Sequence, residues 1–451
     1  VTITDLAGGG RGVGRLDGLV LFVDGALPGE TVRVRLCRRR RGYAEASLLE
    51  ILRRSPERVS PPCPYLPDCG GCDWQHLSAR GQSEARRRHV LDVLQRVGGL
   101  RDAAVAPTVP APRAYGYRFR MDFDWGVVRG RAALGLHRRG RAGEVVPLDR
   151  CLLAGDTANG VLRFVAREAD RRRLTAWDPL RRRGLLRRLS IQEAHGTGEV
   201  LVSLETGRGD PVPLAALASG LPRAFPRVVG IVRFERDRDD RPAGTSVLYG
   251  RDYLNEVVDE DRFRIPAAAF FQPNPEAAGL ARRLAIEALA LRPGARLLEL
   301  YAGVGFMSVA AARRGARLTL LEENREACEA ARINLRNAGA ADFRVVPGDV
   351  ARTLPALLGE AWEGILLDPP RTGMAGEVRQ AVAAAGASRL VYVSCDPATL
   401  ARDLGALVRD GGWRLLEVTP VDLFPQTQHV ECIAVLGRDG GDRAVEPDHA
   451  G

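Results

Sequence analysis

From about residue 266 to 438 the chain alternates apolar strand-like runs with helical stretches, and this alternation restricts the fold more than any other feature. A helix is predicted over Pro275 to Ala290, followed by the strand Arg296-Leu297-Leu298-Glu299-Leu300. Further strands are predicted at Leu318 to Glu322, Phe343 to Val346, Gly364 to Asp368, Arg389 to Ser394, Trp413 to Val418 and Glu431 to Leu436. Strands separated by helices bury both faces of a sheet, which predicts a doubly wound, Rossmann-like α/β domain. Ligands of such sheets bind beyond the carboxyl ends of the strands.

Polar groups stand at those ends. Glu299-Leu300-Tyr301-Ala302-Gly303-Val304-Gly305 closes one strand and opens a helix, and its glycines let the backbone approach a ligand. The next strand ends in Glu322-Glu323, where an acidic residue can bind ribose hydroxyls. Pro347-Gly348-Asp349 and Asp368-Pro369-Pro370-Arg371 follow the next two. One such group alone would be a solvated charge. Four in succession predict a nucleoside cofactor. Ser308 stands where a dinucleotide fingerprint has its last glycine, and Asp-Pro-Pro has no part in hydride transfer, so S-adenosylmethionine suits the pattern better than NAD.

The strand Leu390-Val391-Tyr392-Val393 ends in Ser394-Cys395-Asp396-Pro397. A lone cysteine is most often a small core residue. Cys395 sits instead where a strand breaks beside the ligand crevice. Methyl transfer to carbon 5 of uracil needs a thiolate: addition to carbon 6 makes carbon 5 a nucleophile, and a base must later remove the carbon 5 proton. The segment Phe424-Pro425-Gln426-Thr427-Gln428-His429-Val430-Glu431 offers His429 and Glu431 for that role, and the residues alone leave both open.

The first 55 residues read as short strands punctuated by turns at Gly8-Gly9-Gly10, Asp17-Gly18 and Leu27-Pro28-Gly29-Glu30. Five strands in that space predict a small barrel of the oligonucleotide-binding (OB-like) type. Residues 56–265 read as a central mixed α+β domain, with a helix near 75–100 and arginine-rich stretches such as Arg181-Arg182-Arg183. Residues 439–451 are polar and predict a disordered tail. The net charge is +10, with every Lys-or-Arg position an arginine, and it fits either a polyanionic partner or coding bias. No apolar run approaches the ~18 residues of a membrane span, and the N-terminus lacks a signal-peptide pattern. A cytoplasmic, monomeric protein with no membrane partner is expected.

Cys63-Pro64-Tyr65-Leu66-Pro67-Asp68-Cys69-Gly70-Gly71-Cys72 puts three thiols in one loop, and Cys151 is the best fourth. Four thiolates suit zinc or an iron–sulfur cluster, and spacing does not decide between them. Cys37, Cys328 and Cys432 have no pattern and read as packing residues.

Phe271-Gln272-Pro273-Asn274, Tyr301-Ala302-Gly303-Val304-Gly305, Asp368-Pro369-Pro370-Arg371, Ser394-Cys395-Asp396-Pro397 and His429-Val430-Glu431 occur in this order. In this the chain resembles the bacterial RNA 5-methyluridine methyltransferases, over most of its length. The resemblance implies that Gln272, Tyr301, Glu322 and Asp368 contact S-adenosylmethionine, that Cys395 is the nucleophile, and that Glu431 rather than His429 is the base. Phe306 and Ala302 depart from the asparagine and cysteine common in the family. The barrel resembles a TRAM domain, the family's RNA-binding appendage. Resemblance to the iron–sulfur branch implies a structural 4Fe-4S cluster on Cys63, Cys69, Cys72 and Cys151, with zinc the alternative. The expected domains are therefore a TRAM-like barrel (1–55), a central RNA-recognition domain (56–265), and a methyltransferase domain (266–438). The expected substrate is a uridine in 23S rRNA in preference to tRNA. The other readings are a tRNA uridine methyltransferase and a non-catalytic RNA-binding assembly factor.

Overall fold

The computed structural model describes residues 1–209 and 212–438, so the expectation for 439–451 lies outside the described residues. Five strands, β1 (Ile3–Leu6), β2 (Gly12–Leu16), β3 (Leu19–Asp24), β4 (Thr31–Arg39) and β5 (Tyr43–Arg53), form one sheet in the order β1-β2-β3-β5-β4. The sheet curls on itself: Thr2 bridges Thr31, and Val32 N–H donates to the Val1 carbonyl at 2.8 Å. Ile3, Leu21, Val23 and Val32 fill the interior. Closure is tight at Gly14, where a Cβ would stand 2.8 Å from the Thr2 carbonyl.

Helix α1 (Ala79–Arg96) starts on a Ser78 cap that accepts from Gly81 N–H at 3.0 Å. A seven-stranded sheet comes next, made of β6 (Arg120–Val128), β7 (Arg131–Arg138), β8 (Arg141–Pro147), β9 (Leu186–Glu193), β10 (Val200–Gly207), β11 (Val228–Arg236) and β12 (Pro242–Gly250). Its order is β12-β11-β10-β9-β6-β7-β8, and only β10–β11 is parallel. Helices α2 (Asp156–Arg171) and α3 (Val212–Ala224) pack Val161, Leu162, Leu217 and Leu221 on the same core as Phe123 and Leu189. A hairpin, β13 (Tyr253–Val258) and β14 (Asp261–Pro266), leads into the third layer.

That layer holds helix α4 (Pro275–Ala288) and then β15 (Arg296–Leu300), α5 (Phe306–Arg313), β16 (Arg317–Glu322), α6 (Arg325–Asn337) and β17 (Phe343–Pro347). It continues with α7 (Val350–Thr353), β18 (Gly364–Leu367), α8 (Gly376–Ala384), β19 (Arg389–Ser394), α9 (Pro397–Asp410), β20 (Arg414–Val421) and β21 (Glu431–Gly437). The sheet order is β17-β16-β15-β18-β19-β21-β20, parallel throughout except that β21 runs against both neighbours. The architecture is therefore α/β, with the doubly wound sheet, the barrel and the mixed central domain anticipated from the sequence. The order reverses between β15 and β18, which opens a crevice beyond their carboxyl ends. Helices α4, α5 and α6 cover one face, and α7, α8 and α9 the other.

Helix α1 joins that second face through Val90, Val93 and Leu94. Residues 104–109 run alongside β20, with Val105 bridging Val418 and Val109 bridging Val421. Among the described residues no helix is long and apolar enough to cross a membrane.

Candidate active site

A crevice of about 810 Å³ opens at the reversal point. Gln272, Tyr301, Glu322, Asp368, Cys395 and Glu431 all line it, so six residues spread over 160 positions of sequence reach one cavity. Tyr301 leaves β15 with φ +61°, a left-handed backbone that costs energy in any residue but glycine and is characteristic of ligand-facing turns. Gly303 and Gly305 come after it at φ +53° and +80°. The Glu322 carboxylate accepts the Gly303 N–H at 2.9 Å and the Asn324 N–H at 2.8 Å, tying the ends of β15 and β16 together. Gln272 donates to Asp368 at 3.4 Å. It is held beside the sheet by Asn274, which caps α4, and Pro275, which starts it.

Cys395 and Glu431 meet through strand register. β19 and β21 are antiparallel with Ser394 opposite Cys432, so Cys395, the first residue past β19, and Glu431, the first residue of β21, leave neighbouring strands at the same end of the sheet and line the same crevice. The two residues after the cysteine fix its place. Asp396 caps α9, accepting from Ala398 N–H at 3.0 Å and Thr399 N–H at 2.9 Å, and Pro397 stands in the first turn. Burial, then the Glu431 and Asp368 charges, push the Cys395 thiol up to about 11. The Arg371 guanidinium opposes this, by charge and by a hydrogen bond to the thiol. His429 packs on the Phe424 ring, 5.8 Å between centroids, and does not line the crevice.

The crevice gathers several buried carboxyl groups. Burial raises Asp368 to about 7, against the hydrogen bond from Gln272. Burial raises Glu299 to about 8, helped by the Asp368 and Glu322 charges and opposed by Ser308. Glu431 is also pushed well up, by burial and then by the Asp368 charge. Such a pocket favours a cation, and the sulfonium and ammonium groups of S-adenosylmethionine are two. Glu299 and Arg371 were not singled out by sequence reasoning, although both lie inside motifs it used. The signal for Glu299 was an acid within an apolar strand; that for Arg371 was its place after Asp-Pro-Pro.

These raised values couple stability to pH with a definite sign. The folded-state values of Glu299 and Asp368 lie above their ordinary ones, so their contribution is full below about pH 4 and is lost as pH rises through about 7–8. The unfolding midpoint of the free protein is expected to fall from about pH 4 to about pH 8, and Glu299→Gln to flatten that fall. S-adenosylmethionine should raise the midpoint more at the alkaline end. Thermal melts across pH, with and without the cofactor, check this.

Cys63, Cys69, Cys72 and Cys151 line one separate cavity of about 220 Å³. Burial raises the Cys72 thiol to about 12, opposed by a hydrogen bond with Gln75 and reinforced by Cys151, Cys69 and Cys63 as neighbours. Asn159 holds Cys151 in place, its Oδ1 accepting the Cys151 N–H at 2.7 Å and its Nδ2 donating to the Cys151 carbonyl at 3.0 Å. Among the described residues no three Cys, His, Asp or Glu side chains converge as ligands of a single ion.

Residues 357–439 match the tRNA (uracil-5-)-methyltransferase family, residues 1–49 the TRAM domain, and residues 284–393 a family described as conserved hypothetical protein 95. An uncharacterized RNA methyltransferase of Gloeobacter violaceus is 36% identical over 97% of this chain and 96% of its own length. One from Halalkalibacterium halodurans is 33% identical over 97% and 96%. The chain belongs to the RNA uracil-5-methyltransferase family. The crystal structure of the Pyrococcus abyssi tRNA (uracil-54, C5)-methyltransferase in complex with S-adenosyl-L-homocysteine superposes on this methyltransferase with a TM-score of 0.74. The two are 26% identical, over 97% of this chain and 99% of that one. The methyltransferase is thus an S-adenosylmethionine-dependent enzyme acting on RNA, and its N-terminal barrel is a TRAM domain.

Proposed function

We propose that the enzyme methylates carbon 5 of an RNA uridine with Cys395 as nucleophile and Glu431 as base. The observation that supports this reading is that Cys395, just past β19, and Glu431, at the start of the adjoining β21, both line the crevice. The Cys395 sulfur forms a bond to carbon 6 of the uracil, and the ring electrons move onto carbon 5 as an enolate. S-adenosylmethionine supplies the methyl group that carbon 5 takes, leaving its electron pair on sulfur. Glu431 then accepts the carbon 5 proton, the double bond re-forms, and the carbon–sulfur bond to Cys395 breaks. Arg371 favours the thiolate while the base is being attacked. Gln272, Tyr301, Glu322 and Asp368 hold the cofactor, with Asp368 and Glu299 facing its positive groups. The uridine must leave its stack to reach a recessed thiol, so the target lies in a loop or is flipped out.

For the RNA, the resemblance to the iron–sulfur branch is what favours 23S rRNA. The TRAM domain does not separate the two candidates, because an alignment covering 97% of this chain to a tRNA enzyme takes the barrel in. That full-length likeness favours a tRNA as the second reading. Mapping 5-methyluridine in total RNA from cells with and without the gene tests both. A site lost from 23S rRNA supports the first, a site lost from tRNA the second, and no lost site contradicts both.

The four thiols are proposed to hold a 4Fe-4S cluster. A single zinc with Zn–S bonds of about 2.3 Å draws its thiolates to within about 4 Å of each other. What supports a shared centre is that all four line one cavity; the choice of iron–sulfur over zinc rests on the resemblance, with zinc the alternative. The cluster would tie the loop at Cys63–Cys72 to the segment at Cys151, and no step of methyl transfer is routed through it. Protein purified without oxygen is expected to carry about four irons per chain, and Cys72→Ser close to none. Elemental analysis checks this, and one zinc per chain would contradict it.

A further inference from the structure

Arg86 lies on α1, is 0% exposed, and is not a crevice residue. Its donors serve one stretch of chain. Nε donates to the His429 carbonyl at 3.0 Å, Nη1 to the Asp422 carboxylate at 3.1 Å, and Nη2 to the carbonyls of Thr427 at 2.8 Å and Phe424 at 3.2 Å. Gln82, one turn earlier, grips the same stretch from both ends of its amide. It accepts the Gln426 N–H at 3.0 Å and donates to Gln426 Oε1 at 3.1 Å. The turn just past Cys72 closes the frame: the N–H groups of Asp73 and Trp74 both donate to the Gln426 carbonyl at 2.9 Å. The Tyr117 hydroxyl donates to the Pro425 carbonyl, also at 2.9 Å. At the centre Gln426 holds φ +72°, a conformation that persists in a non-glycine residue only where its surroundings over-determine it.

β20 and β21 pair along their own ladder from Arg414↔Gly437 to Val421↔Glu431. What the frame fixes is the path of residues 422–430, and that path ends one residue before Glu431. A proton-abstracting carboxylate is sensitive to such a path, because a shift of about 1 Å can cost about a hundredfold in rate. The nucleophile is held differently, by the cap of α9 at Asp396. Beyond the sheet they share, the two reacting groups are thus braced by different parts of the chain.

We propose that Arg86 and Gln82 are positioning residues: together with the Cys72-Asp73-Trp74 turn they hold residues 422–430 in one path and so set the Glu431 carboxylate for removal of the carbon 5 proton. This rests on the Cys395 and Glu431 reading above. It makes the frame specific to the last half of the reaction, after sulfur addition and methyl transfer.

The step assignment gives the test. RNA carrying 5-fluorouridine passes through sulfur addition and methyl transfer but has no carbon 5 proton to lose, so its rate of adduct formation reports the first half only. Turnover of ordinary uridine RNA reports both halves. The full-length enzyme is compared with Arg86→Lys, which keeps the charge but loses the forked donors, and with Gln426→Gly. The glycine variant keeps the left-handed backbone at no steric cost and removes the side-chain links to Gln82 and to the Ala114 carbonyl, leaving the backbone links of residue 426 in place. In each variant kcat on uridine RNA should fall by about 10–100-fold, while KM for RNA and the adduct rate on fluorinated RNA stay within about twofold. A methylated adduct on uridine RNA should also build up during turnover. Equal loss of both rates in the glycine variant would mean that the frame only supports the fold, and no loss of either would mean that it positions nothing. Absence of any adduct in the unaltered enzyme would overturn the covalent mechanism itself, an outcome visible before any variant is measured.

Discussion

Cys395→Ala should reduce methyl transfer to uridine RNA by at least about 10⁴-fold, since nothing else in the crevice can raise the nucleophilicity of carbon 5. The neighbouring thiol is no substitute. Cys432 is 0% exposed, and its side chain points away from the crevice side on which Cys395 and Glu431 lie. Binding of S-adenosylmethionine should persist in this variant, because the proposed cofactor contacts come from the ends of β15, β16 and β18 and from Gln272. Titration of the cofactor and a methyl-transfer assay on the same preparation separate the two. Loss of both would point to a folding defect. Retained binding with normal methyl transfer would contradict a thiol nucleophile.

Glu431→Gln should act later in the reaction. The amide has the shape of the carboxylate but no basicity, so sulfur addition and methyl transfer should proceed and the carbon 5 proton should stay. Turnover is expected to fall by about 10²–10⁴-fold, the usual worth of a general base. A methylated RNA–protein adduct should survive denaturing electrophoresis, in contrast to the unaltered enzyme, where it is transient. His429→Ala gives the comparison. Its ring lies against Phe424 outside the crevice, so that variant should release its product normally. An adduct that builds up in His429→Ala and not in Glu431→Gln would reverse the assignment of the base.

The sequence carried much of the crevice and little of what frames it. Tyr301, Glu322 and Asp368 were legible because each stands at the end of its own strand, where local pattern and residue type are enough, whereas Gln272, between β14 and α4, came only from the resemblance. Glu299 and Arg371 were legible in principle, as an acid inside a buried strand and as the residue after Asp-Pro-Pro. The choice between His429 and Glu431 was not. It depends on the register between β19 and β21, and residues two apart on an extended segment share a face. The frame around residues 422–430 was still less accessible. Arg86 and His429 are 343 positions apart, and nothing in an arginine on an amphipathic helix marks it for the interior. The usual expectation for Arg86 is a solvated face. Three of the cysteines announced themselves by close spacing, and Cys151, named from the sequence as the best fourth, lines the same cavity with its backbone held by Asn159.

The most direct measurement is the site of the covalent bond. The enzyme is incubated with S-adenosylmethionine and 5-fluorouridine RNA, the adduct is digested, and the RNA-bearing peptide is identified by mass spectrometry. The expected result is one modified peptide containing Ser394-Cys395-Asp396-Pro397, carrying a nucleotide that is both fluorinated and methylated at carbon 5. Attachment at another residue, or no attachment while the enzyme still methylates ordinary uridine RNA, would contradict the central claim that Cys395 attacks the base.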